Sequence, residues 1–129
     1  MKIIHRRRGT AIIQTPKGIL LTADKNKLYC LPGGGAESGE PVKDAIIREV
    51  EEETGLKPKY TRYLFRHVGT PYKKDSGVFV KDFNTVFLVK ADGIPRPMNE
   101  VKKIGYYTPN SNLKIYKSQK EIIDRFLNR

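Results

Sequence analysis

The sequence predicts an α+β fold, a mixed sheet sandwiched between two helices, and three observations carry that prediction. Short apolar, β-branched runs bounded by Gly, Pro and Asn read as strands. Only two stretches show helical periodicity, and each has a single apolar stripe to bury. Their order along the chain, three strands, a helix, three strands and a helix, suits an α/β/α arrangement. The 129 residues fit one domain, residues 1–129, and are enough to bury a core.

Taken in order, residues 10–14 and 19–23 are apolar runs flanking the turn Thr15-Pro16-Lys17-Gly18, a hairpin. Residues 24–27 form a polar loop, and residues 28–31 a short strand stopped by Pro32. Gly33-Gly34-Gly35 is expected to be a loop, because three glycines hold regular structure only at an entropic cost. Pro41 suits the first turn of a helix, and Gly55, with Pro58 beyond it, the end. Val42, Ile46 and Val50 recur at four-residue spacing, with Ile47 beside them, and form its buried face. Residues 60–68 and 79–90 are the next strands, residues 70–77 and 91–100 loops, and residues 101–107 the last strand. Ser118 and Glu121 have capping-box spacing and open a terminal helix whose Ile122, Ile123, Phe126 and Leu127 face inward.

A hydrophobic content of 38% and a charged content of 30% describe a globular chain, not a disordered one. No apolar run approaches the roughly 18 residues of a membrane helix. The start, MKIIHRRRG, lacks the order of a secretory signal, and cytoplasmic residence is the expectation. The single Cys30 excludes an internal disulfide, and no Cys/His spacing fits zinc. The net charge of +11 divides unevenly: residues 34–56 carry −5, and the rest of the chain +16. An acidic patch on a basic body repels itself unless a cation sits in it. A divalent metal with a polyanion spanning metal and basic surroundings would use both halves.

The acids of the first helix are Asp44, Glu49, Glu51, Glu52 and Glu53. At roughly 100° per residue, Glu49, Glu52 and Glu53 fall within an arc of about 100° beside the apolar stripe. Glu51, Asp44 and Arg48 point elsewhere. Carboxylates at i, i+3 and i+4 on the border between core and solvent lie close enough to share hard cations.

Gly34, then Glu40 after five residues, then Arg48-Glu49-Val50-Glu51-Glu52-Glu53-Thr54-Gly55-Leu56 after seven more, fills every defined position of the Nudix box. Chance agreement is on the order of one in ten million. With Leu31-Pro32-Gly33-Gly34 and the hairpin before it, the chain resembles the MutT-like Nudix hydrolases over most of residues 10–56. The resemblance implies hydrolysis of a nucleoside diphosphate linked to another moiety X, or of a nucleoside triphosphate, including a housecleaning role. It also implies Mg²⁺, with Mn²⁺ as the alternative, as cofactor. On matching positions, Glu49, Glu52 and Glu53 become metal ligands, with Glu49 favoured to help deprotonate water. Gly34 or Gly33 adds a backbone carbonyl, Arg48 orients the acids in the catalytic set, and Glu40 supports Arg48. Glu100, in the downstream loop, is the candidate extra carboxylate, ahead of Asp75 and Asp82.

Substrate selection is assigned to Tyr29, Tyr72, Lys73 and Lys74, the tyrosines stacking on a base and the lysines meeting phosphates. Pro71 and Tyr72 occupy adjacent positions that the family's subtypes read in opposite ways, so they leave the substrate open. Arg6-Arg7-Arg8 is another candidate phosphate contact, although such runs are usually solvated. His5 and His67 show no partner. The expected partner is a nucleotide-type small polyanion, acted on by a monomer or homodimer. A nucleic acid is not favoured, and no membrane is expected. Within the enzyme class the basic body leaves room for dinucleoside polyphosphates, diphosphoinositol phosphates or RNA 5′ ends. From another class, the rivals are a non-catalytic nucleotide-sensing Nudix module and a basic RNA-binding protein; the intact glutamate set and the lack of an RNA-binding motif disfavour them.

Overall fold

The computed structural model describes residues 2–25 and 27–129; Asn26, inside the expected polar loop, lies outside the described residues. In chain order the elements are β1 (Ile3–Ile12), β2 (Gln14–Thr15), β3 (Gly18–Ala23), β4 (Tyr29–Cys30) and β5 (Gly33–Gly35). They are followed by α1 (Val42–Thr54), β6 (Lys57–Val68), β7 (Tyr72–Lys73), β8 (Phe79–Asp92), β9 (Lys103–Tyr107) and α2 (Lys117–Leu127). The strands divide into two sheets. One has the order β5-β1-β8-β6, with β7 also on β8; the other has the order β2-β3-β4, with β9 also on β3. The first is mixed, because β1 runs parallel to β8 from Ile3↔Phe79 to Ile12↔Leu88 while its other pairs are antiparallel.

Alternation along the central strands creates the layers. Ala11 and Ile13 pack with Phe87, Val89, Ile46 and Val50 in one cluster. Ile12 packs with Val86, Ile122, Ile123 and Phe126 in another. Neighbours in sequence thus enter opposite clusters, and the mixed sheet lies between α1 and α2 as expected. α1 ends as the sequence indicates: Gly55 adopts a left-handed φ of 74° and its N–H returns to the Glu51 carbonyl at 2.9 Å.

Several local expectations are corrected. β1 begins at Ile3, so Arg6, Arg7 and Arg8 lie in a strand. The glycine triplet is β5, paired antiparallel with β1, and not a loop. Contact explains it: a Cβ on Gly33 would lie 2.1 Å from the Gly9 carbonyl oxygen, and one on Gly9 2.9 Å from that of Val42. The glycines let β5, β1 and α1 approach more closely than side chains allow. The expected loop at residues 70–77 contains β7. α2 starts one residue before Ser118, at Lys117, with Tyr116 at the cap and no side-chain capping bond, so no capping box forms. Leu127 is 49% exposed, because the inward stripe of α2 runs through Ile122, Ile123 and Phe126.

Candidate functional site

The polar edge of α1 faces β5. A Cβ on Gly34 would fall 2.6 Å from the Glu49 carboxyl carbon, so only glycine lets that carboxylate lie against the strand. The Gly33 N–H donates to Glu53 Oε1 at 3.0 Å. Burial pushes the Glu53 carboxyl up to about 7; the Gly33 N–H and Arg8 oppose that rise, and the charges of Glu49 and Glu100 add to it. Burial also raises Glu49, against the pull of Arg48. Glu52 differs: its side chain is 51% exposed.

Arg48 links these acids. Its Nε and Nη2 donate to the two oxygens of Glu40 at 3.0 and 2.9 Å, a bidentate pair. Its Nη1 donates to Glu49 Oε1 at 2.9 Å and reaches Glu52 Oε2 at 3.5 Å. The bonds from Arg48 hold the Glu40 carboxyl down at about 2, and the acids raise the guanidinium further. Arg48 therefore stays charged and fixes the azimuth of Glu49. Glu51 sits outside this network, 3.9 Å from Lys57 Nζ across a solvent-exposed gap.

The loop after β8 is tied to the end of α1. The backbone N–H groups of Arg96 and Met98 donate to the carbonyls of Thr54 and Glu53 at 3.0 and 3.2 Å, and Asn99 Nδ2 donates to that of Glu52 at 2.6 Å. These bonds satisfy carbonyls that a helix end leaves open. They also place the exposed Glu100 near enough for its charge to act on Glu53.

Among the described residues no three Asp, Glu, His or Cys groups converge closely enough to share one metal ion. Glu49 and Glu53 could nonetheless hold a hard cation: both are oxygen donors, and a glycine strand faces them without side chains. Glu52, half exposed at the solvent edge, is linked to Glu49 through Arg48.

The other face of β1 borders a cleft of about 800 Å³. Arg6 and Arg8 lie at its base, Tyr72, Lys73 and Lys74 on one wall, and Tyr116–Gln119 on another. Arg6 pairs with Asp82 at 2.7 and 3.0 Å, and the Tyr72 hydroxyl donates to Asp82 at 3.1 Å. Asp82 is thereby neutralised away from the carboxylate edge, while Asp75 lines the cleft. Tyr72, Lys73 and Lys74 all line this cleft. Tyr29 lies elsewhere: its ring packs against Gly105 and the α2-side core. Cys30, its neighbour in β4, faces the cleft instead, and burial raises its thiol pKa. His67 has a partner, Glu121 Oε1 at 3.3 Å from Nε2.

Sequence reasoning named Arg8 only within the arginine run, as a candidate phosphate contact, and passed over Lys117, Ser118 and Gln119 as cleft residues. Arg6 and Arg8 share a strand face, so period-two alternation would have paired them had the start of β1 been recognised. Nothing local marks the first turn of α2 as its neighbour.

A NUDIX domain model matches residues 4–126. A solved structure described as a nudix hydrolase family member from Chromobacterium violaceum is 37% identical, covering 95% of this chain and 77% of that one, with a TM-score of 0.81. A protein named ADP-ribose pyrophosphatase from Methanocaldococcus jannaschii is 46% identical over 57 residues, 41% of this chain and 34% of that protein. One named as an 8-oxo-dGTP diphosphatase, YtkD, from Bacillus subtilis is 44% identical over 45 residues, 35% of this chain and 28% of that protein. These alignments span about a third or less of the curated relatives' length.

Proposed function

We infer the reaction from a premise that the match over residues 4–126 establishes: this chain belongs to the NUDIX family. The reading best supported is metal-dependent hydrolysis of a pyrophosphate bond in a nucleoside diphosphate linked to X, or in a nucleoside triphosphate. The observation that carries it is the pair of half-buried carboxylates, Glu49 and Glu53, set against a glycine strand with Arg48 bonded to Glu49.

Glu49, Glu53 and a rotated Glu52 would hold Mg²⁺ or Mn²⁺, with the Gly34 carbonyl and Glu100 as further oxygen donors. The cation supplies neutralisation of the pyrophosphate oxygens and a more acidic bound water. The protein's own part is positional and basic. Arg48 takes Oε1 of Glu49, leaving Oε2 to accept a proton from the attacking water. The Gly33 N–H fixes Glu53 through Oε1. Glu40 keeps Arg48 in place and touches nothing that reacts.

The named relatives support a nucleotide-type substrate and differ on which one. The +16 carried outside residues 34–56 favours a second reading within the class, substrates richer in phosphate such as dinucleoside polyphosphates. A panel of nucleotide derivatives assayed with Mg²⁺ and Mn²⁺, with products identified, tests both. Cleavage of a P–O–P linkage into two phosphorylated products is expected. Tight binding of one member without turnover of any would replace the enzyme reading with a nucleotide sensor.

A further inference from the structure

Arg8 is a buried cation without an acidic partner. It is 8% exposed. Its Nε donates to Thr10 Oγ1 at 3.3 Å and its Nη2 to the Leu31 carbonyl at 3.1 Å, both neutral acceptors. Among the described residues no carboxylate lies within ion-pairing distance of it. Arg8 also lines the cleft on this side of β1. Burying a guanidinium among neutral groups is costly unless an anion compensates it. The compensation present is distant: Arg8 and Glu53 act on each other through the strand. A cation on the carboxylates would consume that compensation and leave Arg8 calling for an anion on its own side.

The first turn of α2 meets Arg8 in the same cleft. This helix of 11 residues has no side-chain cap. The N–H groups of Gln119 and Lys120 go to the Tyr116 carbonyl. Those of Lys117 and Ser118 have no backbone acceptor among the described residues. The two elements are held in register through one residue: Leu31 donates its N–H to Gln119 Oε1 at 3.0 Å and gives its carbonyl to Arg8. Lys117, Lys73 and Lys74 add exposed positive charge around the opening, whereas Arg6 is already matched by Asp82.

We propose that Arg8 and the first turn of α2 form an anion subsite that takes a phosphate group of the substrate outside the scissile pyrophosphate. The geometry is that of a cationic floor opposite helix N–H groups, which suits a phosphate monoester. The cleft is large enough for a phosphorylated sugar or nucleoside beyond it. The subsite rests on the pyrophosphohydrolase reading only for the word substrate. It narrows the class to nucleotides that carry a phosphate beyond the cleaved anhydride.

Inorganic phosphate titrated into the metal-free protein in the presence of chelator, followed by ¹⁵N NMR, tests it. Saturable shifts are expected at the Lys117 and Ser118 amides and at Arg8 Nε–H. Arg8→Gln should weaken phosphate binding at least tenfold, and Arg8→Lys less. Should Arg8→Gln fail to fold, Ser118→Glu serves: a carboxylate in a first helical turn stabilises the helix, yet here it should abolish phosphate binding. Unchanged phosphate affinity in the folded variants, or shifts confined to residues 33–53, would overturn the subsite. Glu53→Gln removes the distant compensation of Arg8 and should leave phosphate binding no weaker than the parent's. A positive titration in a protein that hydrolyses nothing would remove the enzyme reading and keep the subsite.

Discussion

The carboxylate edge of α1 and the cleft across β1 differ in how much chain each needs. The edge takes its glycines, its acids and its arginine from residues 33–53, with Glu100 alone arriving from afar through three hydrogen bonds. The cleft is assembled from segments scattered between Arg6 and Gln119. The edge holds two half-buried acids whose charged forms burial disfavours, while the cleft floor holds a buried cation bonded only to neutral acceptors. The two are complementary across one strand. The teaching is that reaction chemistry can be local in sequence while substrate choice is not.

Substitutions at adjacent glycines break the edge in two different ways. Gly34→Ala displaces only the end of a flexible side chain, Glu49, so the fold should survive. Hydrolysis should fall by up to about 100-fold, as expected when a reacting group moves by about 1 Å. Gly33→Ala meets the Gly9 backbone at 2.1 Å and should cost about 1–3 kcal/mol of stability by thermal or denaturant unfolding. Equal thermal stability of the two variants would contradict the packing described for β5.

Arg48→Ala should weaken metal affinity by about 10–100-fold, because Glu49 loses its fixed orientation. Calorimetric titration of the cation measures it, and an unchanged affinity would reduce Arg48 to a surface charge. Acidity sharpens the comparison further. Folding raises Glu53 from an ordinary 4.5 to about 7, so the folded chain holds that proton more tightly than the unfolded one. Its contribution to metal-free stability is full below pH 4.5 and is lost as pH rises through about 7. Metal binding must displace the same proton, so cation affinity should fall up to about tenfold per unit as pH drops below 7. Lys57→Ala should be the mildest change, within about 0.5 kcal/mol, because its pair with Glu51 is exposed and 3.9 Å apart.

The carboxylate edge was legible because helical periodicity alone places Glu49, Glu52 and Glu53 on one border, and glycine spacing marks what they face. The chain ends of α1 were equally plain in Pro41 and Gly55. What escaped was long-range. Gly33–Gly35 read as loop because their pairing depends on Gly9, more than twenty residues earlier. The arginine run read as a phosphate contact or a solvated stretch, and not as a strand, because β1 owes its first residues to β8, not to an apolar pattern of its own. Tyr29 read as a base-stacking candidate because its direction is set by Gly105, which no local rule connects to it. Glu100 was found by its place in the chain, but the bonds that bring it to α1 were not.

The most direct measurement is metal-dependent hydrolysis of the best panel substrate by Glu53→Gln. The glutamine can keep the Gly33 N–H bond and removes a buried charge, so metal-free thermal stability should be no lower than the parent's. Turnover should fall by roughly 100-fold or more. A folded Glu53→Gln variant that works at the parent rate would contradict the assignment of this edge as the reacting site.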